Sequence, residues 1–298
     1  MLESLERAGR GALPASPDLI LDQLCVTSGT IPLRAMVIVA HPDDETIGAG
    51  GRLARFQSCR IVHLTDGAPF DATTPAEDAA LARTELRGER RRELLTALSL
   101  AGVSPDGVQS LAWEDQHTTL GLANLTRTLA RLINTVHPDV ILTHPYEGGH
   151  PDHDATAFAV QAAAAVLAAT GEQAAPLVEM AFYHSINGVL RTGAFLPGGL
   201  AATRTSRLEP ADRTLKGDML ACFSTQNDFL SLFDVEHERF RLAPAYDFLR
   251  PPHDGVLRYE LQARGWNGER WRVLAREAVT TLGLPPPPWP VSTPPRVA

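Results

Sequence analysis

The chain has 298 residues, of which 44% are hydrophobic and 21% are charged, and its formal net charge is −8. This length is enough for one large domain, or for one domain with an added lobe, and the hydrophobic content is ordinary for a globular protein. The acidic balance argues against a nucleic-acid partner, because phosphate binding requires a basic surface. No apolar run reaches the roughly 18 residues of a membrane span, so we expect no transmembrane segment.

Three scattered cysteines, Cys25, Cys59 and Cys222, argue against a disulfide framework and against a thiolate metal site. Residues 1–7 lack the basic-then-apolar pattern of a signal peptide. The expected compartment is therefore the cytoplasm.

Strand-like and helix-like stretches alternate along the first two thirds of the chain. Short β-branched apolar runs predict strands, and segments with apolar residues at helical spacing predict the helices between them. In chain order the predicted elements are strand 36–40, strand 60–65, helix 77–100, strand 108–113, helix 120–136, strand 140–143, helix 154–169 and strand 178–184. This alternation is typical of an α/β fold, with a mostly parallel sheet flanked by helices on both faces.

Beyond about residue 190 the alternation weakens. Glycines and prolines in residues 193–213 predict a surface loop, and residues 215–233 are a helix candidate. A run of four prolines follows and predicts a polyproline or disordered tail. We therefore divide the chain into four parts: an N-terminal segment (1–32), a core (33–190), a C-terminal extension that packs on the core (191–282) and a proline-rich tail (283–298).

Two short clusters of histidine and carboxylate carry the chemistry. Residues 41–45 (His-Pro-Asp-Asp-Glu) follow the first predicted strand, and residues 150–153 (His-Pro-Asp-His) lie just beyond the strand 140–143. Active sites of open α/β sheets lie beyond the carboxyl ends of the strands, so we expect the two clusters to meet in space. Either cluster alone fits a turn with a helix cap, whereas the two together favour a metal site.

We assign His41, Asp44 and His153 as metal ligands, because catalytic zinc typically takes three His, Asp or Glu ligands and leaves one position for water. Asp43 lies beside these ligands and is the natural general base for the metal-bound water. The same ligand set would also accept Fe(II), Co(II) or Mn(II).

His150 is then free to act as an imidazolium that polarises the substrate carbonyl, stabilises the oxyanion or protonates the leaving amine. Asp152 is placed to fix the tautomer of His150 and to raise its pKa. From spacing alone, the roles of His150 and His153 are interchangeable.

Residues 40–45 and 149–154 resemble the two signature motifs of the PIG-L/LmbE-like N-acetylglucosamine deacetylases. The resemblance extends to Leu64-Thr65-Asp66-Gly67 and to parts of residues 90–103, and it covers about residues 33–190. It implies a Rossmann-like catalytic core and the zinc-dependent removal of an N-acetyl group from a small-molecule or glycan substrate that carries glucosamine, with release of acetate. One zinc ion per chain is the expected cofactor.

The resemblance also implies the same roles for the residues: His41, Asp44 and His153 as ligands, Asp43 as the base and His150 as the electrophilic histidine. It leaves a homo-oligomer open, since some relatives form trimers or hexamers.

Three further residues are candidates for sugar contacts. Arg90 matches an arginine that reaches the sugar in relatives, and it fits a solvated helix face equally well. Asp115 lies near an acidic position of the family, with an ordinary loop aspartate as the alternative. Glu147 could contact a sugar hydroxyl or hydrogen-bond its own loop. In the extension, Trp266 and Trp271 are better explained as filling a second small core than as stacking on sugars.

An amidase that cleaves a non-acetyl amide in a thiol–sugar conjugate is the alternative function, because the family includes such enzymes and the motifs do not separate them. A metal-bound carbohydrate-binding protein without turnover is disfavoured by the intact Asp43 and His150. A nucleotide-binding protein is disfavoured because no Gly-x-Gly-x-x-Gly turn follows the first strand.

Overall fold

A computed structural model describes residues 17–69, 76–198, 201–262 and 265–291. The strands are β1 (Ile31–Val39), β2 (Phe56–Pro69), β3 (Val108–Asp115), β4 (Val140–Thr143), β5 (Leu177–Met180), β6 (Tyr183–Ile186), β7 (Val189–Thr192), β8 (Thr203–Arg207) and β9 (His237–Leu242). The helices are α1 (Pro17–Leu24), α2 (Asp44–Leu53), α3 (Ala76–Leu100), α4 (Leu122–Val136), α5 (Pro151–Ala169), α6 (Pro210–Ala221), α7 (Asn227–Leu230) and α8 (Gly268–Leu282).

The main sheet has seven strands in the order β3-β2-β1-β4-β5-β9-β8, and β6 and β7 form a separate hairpin. The strands from β3 to β5 pair in parallel, whereas β9 and β8 pair antiparallel at one edge. The predicted α/β class, with a mostly parallel sheet flanked by helices, is therefore confirmed. The sheet order reverses between β1 and β4, and at such a switch point the chain leaves a crevice beyond the carboxyl ends of the strands.

The residues of β1 show why the sheet is buried on both faces. Val37 and Val39 pack into the core on the α2, α3 and α6 side, and Met36 and Ile38 pack into the core on the α4 and α5 side. Each fully buried side chain of this kind contributes roughly 1.5–3 kcal/mol to folding. A continuous apolar run is therefore the sequence expected of a parallel strand covered on both faces.

Two predictions for the C-terminal half are wrong. The predicted loop 193–213 contains β8, a polar edge strand of sequence Thr-Arg-Thr-Ser-Arg that has no apolar alternation to reveal it. The predicted helix 215–233 is two shorter helices, α6 and α7, and α6 begins earlier because Pro210 occupies its first turn.

Other boundaries differ from the prediction by a few residues. The strand predicted at 178–184 is two strands, β5 and β6, which belong to different sheets. The predicted strand 60–65 extends in both directions to form β2, and α5 begins at Pro151 instead of residue 154.

A buried ion cluster joins the C-terminal half to α2, the helix that follows the first motif. Lys216 Nζ donates to the carbonyl of Ile47 at 2.8 Å and lies 3.0 Å from Glu238 Oε1. The same carboxylate oxygen accepts the amide of Gly51 at 2.9 Å. α2 is interrupted at Ala49, where φ is −147°, so these contacts support a helix that is not continuous.

The first part of the proline-rich tail packs against the protein. Trp289 is buried, and its ring centroid lies 5.6 Å from that of Phe158. Residues 292–298 of the predicted tail and residues 1–16 of the predicted N-terminal segment lie outside the described residues. Among the helices of the described residues, none is both long enough and apolar enough to cross a membrane.

Candidate metal centre

The two histidine and carboxylate clusters lie together at the crevice between β1 and β4. His41 and Asp44 stand in the connection from β1 to α2, with Asp44 as the first helical residue. His150 caps the N-terminus of α5, and His153 lies in the first turn of that helix. Because β1 and β4 pair in parallel, their carboxyl ends lie side by side. Clusters that are far apart in the chain therefore share one site.

The carboxylate of Asp44 lies between two imidazoles. Its Oδ2 atom is 3.3 Å from Nδ1 of His41, and its Oδ1 atom is 3.3 Å from Nε2 of His153. All three residues are buried, with exposed fractions of 8% for His41, 2% for Asp44 and 4% for His153. The structure thus brings the three predicted ligands together, and their coordination of a metal stays a prediction.

Opposite charges compensate for the burial of these groups. Burial would raise the pKa of Asp44, but His153 holds that pKa well below its usual range. Burial would lower the pKa of His41, but Asp115 and the other carboxylates around it raise that pKa well above its usual range. The cluster therefore keeps its carboxylate ligand ionised, as binding of a cation requires.

His144, which directly follows β4, was not predicted as a site residue. Its Nε2 atom accepts the amide of Ala40 at 3.0 Å and lies 3.2 Å from Asp44 Oδ2. Its ring stacks on that of His153 at 3.9 Å between centroids. Burial is the main reason that the pKa of His144 falls to about 3, so the ring is neutral. The sequence contains one indication of this residue, because His144 directly follows a predicted strand just as His41 does.

Two more carboxylates face the far side of the His41 ring. Asp115 Oδ1 and Asp152 Oδ2 each lie 3.3 Å from His41 Nε2. A hydrogen on Nε2 is donated to these oxygens, and a metal ion would displace the proton from Nδ1, the atom that faces Asp44. Metal-binding histidines commonly have this arrangement, in which a carboxylate fixes the tautomer of the ligand.

Asp152 was predicted to act on His150, and its closest contacts are elsewhere. Its Oδ2 atom accepts the amide of Gln116 at 2.5 Å, and its Oδ1 atom accepts the hydroxyl of Thr118 at 2.5 Å and the amide of the same residue at 3.2 Å. The Asp152 carboxylate is fully buried, and these donors compensate for its charge. This arrangement fixes the oxygen that lies beside His41.

The amide of Asp152, rather than its carboxylate, makes the closer contact with His150. That amide donates to His150 Nδ1 at 3.2 Å, whereas the nearest carboxylate oxygen is 4.0 Å away. Asp152 raises the pKa of His150, as expected, but the prediction that His150 is an imidazolium is wrong. Burial, followed by the charge of His41, lowers this pKa to about 3, and Asp152 opposes the shift without reversing it.

Asp43 is buried beside the predicted ligands in a strained backbone conformation, with φ of +135°. Arg90 Nη2 donates to Asp43 Oδ2 at 2.9 Å and to the carbonyl of Pro42 at 2.5 Å. The amide of Asp43 donates to Glu45 Oε2 at 3.2 Å. For Arg90, the alternative of a solvated helix face is wrong, because the residue is only 3% exposed.

Glu45 and His63 form a second contact that sequence reasoning did not assign. Glu45 Oε2, which accepts the Asp43 amide, lies 2.8 Å from His63 Nε2, and both side chains are fully buried. His63 comes from β2, so this contact ties the first motif to the neighbouring strand.

Glu147 is surrounded by protein groups. Its Oε1 atom accepts the amide of Leu196 at 2.8 Å and lies 3.1 Å from Arg241 Nη2, while Oε2 lies 3.3 Å from His184 Nδ1. These contacts agree with the alternative in which Glu147 fixes its loop. Its contact with a sugar, like those of Arg90 and Asp115, stays a prediction.

The donor set fits a divalent cation. Three overlapping groups of described residues offer ligand atoms within 4.8 Å of one another: His41, His150 and His153; His41, Asp115, His150 and Asp152; and Asp44, His144 and His153. None of these groups contains all three predicted ligands, since Asp44 is grouped with His153 and not with His41. The amide of Ala40 already uses the lone pair of His144 Nε2, which argues against His144 as a ligand. Imidazole and carboxylate are the ligands that zinc takes in hydrolytic sites.

Residues 36–164 match the family model described as PIG-L, GlcNAc-PI de-N-acetylase. This segment, which we call the PIG-L domain, is therefore similar to the PIG-L family. The matched segment contains every residue that the sequence assigned to the metal, to catalysis or to the sugar. The resemblance proposed from the two motifs is thereby confirmed.

Several relatives matched over the PIG-L domain are 1D-myo-inositol 2-acetamido-2-deoxy-alpha-D-glucopyranoside deacetylases. The relative from Segniliparus rotundus is 34% identical over 148 residues, which are 40% of this chain and 46% of the relative. The relative from Actinosynnema mirum is 32% identical over 147 residues, which are 42% of this chain and 52% of the relative. The chain thus spans about half the length of these relatives.

Solved structures share the fold of the PIG-L domain. A deacetylase of teicoplanin biosynthesis superposes with a TM-score of 0.53 and 19% identity, over 70% of this chain and 96% of that chain. The A40926 pseudoaglycone deacetylase superposes with a TM-score of 0.50 and 20% identity, over 70% of this chain and 96% of that chain. At these identities the likeness shows a common fold.

Proposed function

We propose that this protein is a zinc-dependent de-N-acetylase that removes the acetyl group from a glucosamine-containing substrate. The observation that carries this proposal is that two groups adjoin the predicted ligand His41: the buried carboxyl group of Asp43, two residues along the chain, and the ring of His150, whose centroid lies 4.6 Å from that of His41. A carboxylate that accepts a proton and an N–H that donates to an oxyanion are the two groups that amide hydrolysis requires.

The residues that would hold the metal are His41, Asp44 and His153, with one zinc ion per chain. Fe(II), Co(II) and Mn(II) suit the same ligands. A zinc ion at such a site supplies Lewis-acid chemistry, because it lowers the pKa of water and polarises a carbonyl group.

Asp43 is the proton acceptor. Burial raises the pKa of its carboxyl group to about 8, with Arg90 opposing the shift and Asp44 adding to it. A carboxylate with a pKa near neutral pH can take a proton from water and later release it. Arg90 donates to Oδ2, which leaves Oδ1 to receive the proton.

His150 acts as a neutral hydrogen-bond donor. The amide of Asp152 donates to Nδ1, so the ring hydrogen is on Nε2. The low pKa of His150 keeps the ring neutral at physiological pH. Its Nε2–H group can therefore stabilise the oxyanion that forms when water adds to the acetamide carbon.

The proton balance follows from these two roles. Asp43 takes a proton from the attacking water as the new carbon–oxygen bond forms. The carbon–nitrogen bond then breaks as Asp43 returns this proton to the nitrogen. The products are an amine and acetic acid, and the acid's proton passes to the amine or to water to leave acetate.

The relatives support this substrate class. Those matched over the PIG-L domain are deacetylases of a glucosamine linked to inositol, and the fold neighbours include deacetylases of glycopeptide biosynthesis. The alternative amidase that acts on a thiol–sugar conjugate is not favoured by these comparisons. The three unpaired cysteines agree with the proposed cytoplasmic location.

The test is a measurement of acetate and free amine after incubation of the zinc-loaded protein with N-acetylglucosamine, its inositol conjugate and larger N-acetylglucosaminyl glycans. We expect equal amounts of acetate and amine from at least one of these compounds. Failure to release acetate from every one of them, by protein that contains zinc, would overturn the proposal.

A further inference from the structure

The loop after β3 contains a strained residue whose two backbone groups are both in use. Gln116 has φ of +71°, a conformation that costs roughly 1 kcal/mol or more for a residue with a side chain. Its amide donates to Asp152 Oδ2 at 2.5 Å, and its carbonyl accepts the indole N–H of Trp266 at 2.9 Å. Such a conformation persists where its surroundings fix it from more than one side.

This loop reaches the predicted metal ligands through Asp152. The oxygen that accepts the Gln116 amide is the same Oδ2 atom that lies 3.3 Å from His41 Nε2. The preceding residue, Asp115, also places a carboxylate oxygen 3.3 Å from that nitrogen. A shift of Gln116 would therefore move both carboxylates that face His41.

Trp266 is held in place independently of this loop. The residue is buried in a small cluster with Leu257 and Tyr259, as the sequence analysis expected, and the guanidinium of Arg270 lies over its ring at 4.6 Å. Packing in this cluster explains the position of the ring. It does not explain why the indole nitrogen, the one polar atom of the side chain, hydrogen-bonds a loop 150 residues away in the chain.

We propose that Trp266 is a positioning residue for the metal centre. Its indole N–H fixes the Gln116 carbonyl, the Gln116 amide fixes Asp152, and Asp152 orients the imidazole of His41. The inference rests on the proposed function, because it requires His41 to be a metal ligand. Through this relay, the C-terminal part of the chain contributes to the geometry of a site whose ligands all lie in the PIG-L domain.

The Trp266→Phe variant removes the indole N–H and keeps an aromatic ring in the cluster. Its matched control is Trp289→Phe, which removes an indole N–H that donates locally to the carbonyl of Pro285 at 2.8 Å. Each metal-free protein is titrated with Co(II), and the dissociation constant and the visible absorption spectrum of the bound ion are recorded. Thermal unfolding of the metal-free proteins is measured in parallel.

We expect Trp266→Phe to raise the dissociation constant for Co(II) about three- to tenfold, as loss of one neutral hydrogen bond predicts, and to change the absorption spectrum. The control should stay within about twofold of the wild type with an unchanged spectrum. Equal Co(II) affinities and equal spectra in the two variants would overturn the inference, even if the wild type releases acetate.

The same titration separates this inference from the proposed function. The wild type could bind Co(II) and yet release no acetate. If Trp266→Phe then weakens Co(II) binding and the control does not, the positioning role of Trp266 is confirmed and the de-N-acetylase function is contradicted. A wild type that binds no Co(II) contradicts both.

Discussion

The buried guanidinium of Arg90 donates a hydrogen bond to the carboxyl group of Asp43, with 2.9 Å between Nη2 and Oδ2. The same nitrogen donates to the carbonyl of Pro42, so one side chain fixes both the carboxylate and the backbone that precedes it. Asp43 has φ of +135°, and a strained residue at a reacting group is a common feature of enzyme sites. In the proposed function, the first role of Arg90 is therefore to orient the base, Asp43, and a contact with the sugar is secondary.

Replacement of Arg90 by Gln should lower kcat by about 10- to 100-fold, because hydrogen bonds to charged groups are worth roughly 1.5–3 kcal/mol. Bound zinc should remain unchanged, since Arg90 contacts Asp43 and not the predicted ligands. Steady-state kinetics and metal analysis measure the two effects. The control is Arg92→Gln, at an exposed position of the same helix, and an equal loss of kcat in both variants would contradict the role of Arg90.

Removal of the metal should both inactivate and destabilise the protein. When zinc is added back to the metal-free protein at about a hundred times its dissociation constant, the free energy of unfolding should rise by about 2.7 kcal/mol, because the ion binds only the folded state. His153→Gln should lose most of this zinc-dependent rise in melting temperature. His237→Gln, at a partly exposed histidine that pairs with Asp234, should keep it. An unchanged response of His153→Gln would exclude His153 as a ligand.

The pair of Arg34 and Asp139 gives a pH dependence of stability that is separate from the site. Asp139 accepts the amide of Arg34 at 2.8 Å and its guanidinium at 2.8 and 3.1 Å. Burial would raise the pKa of Asp139, but the hydrogen bonds from Arg34 lower it below its usual value. The carboxylate therefore stabilises the fold above its unfolded pKa of about 4, and this contribution is lost as the pH falls through the lower folded pKa.

We expect Asp139→Asn to lower the free energy of unfolding by about 1–2 kcal/mol at pH 7, a value that allows for the partial exposure of Arg34. The difference from the wild type should be the same at about pH 5 and pH 7 and should shrink below about pH 4. Urea titrations at several pH values measure it. A difference that grows as the pH falls would contradict the assignment.

Gly149 allows close packing of the loop that connects β4 to α5 and carries His150. A Cβ atom at this position would lie 2.1 Å from the carbonyl oxygen of Tyr183, so the backbone must move to accept one. Gly149→Ala should therefore cost about 2–4 kcal/mol of stability and should reduce zinc affinity. Gly217→Ala, in α6 with no atom within 4 Å of the added Cβ, should stabilise the protein by up to about 1 kcal/mol. Equal melting temperatures for the two variants would contradict this account.

The sequence predicted the parts of this protein that depend on local patterns. Apolar runs such as 36–40 and 140–143 predicted buried parallel strands, and the polar clusters beyond them predicted the position of the site. His144 obeys the same rule, yet a single histidine outside a motif gives little signal. β8 was missed because an edge strand can be polar on both faces and then has no apolar periodicity.

Contacts between distant parts of the chain could not be predicted from the sequence. The approach of Asp115 to His41 depends on how β3 ends relative to β1, and the bond from Trp266 to Gln116 depends on how the C-terminal part folds back. Neither has a spacing rule that would reveal it. Arg90 also lies in a run of three arginines, where only burial separates the one that contacts Asp43 from its more exposed neighbours.

The central claim is that Asp43 is the base beside a metal held by other residues. The most direct test measures bound zinc and acetate release together in the wild type, in Asp43→Asn and in Asp139→Asn as a carboxylate control. The account predicts one zinc per chain in all three proteins, and a loss of acetate release of at least about a thousandfold in Asp43→Asn alone. Zinc-loaded Asp43→Asn that keeps near-wild-type turnover would contradict the account.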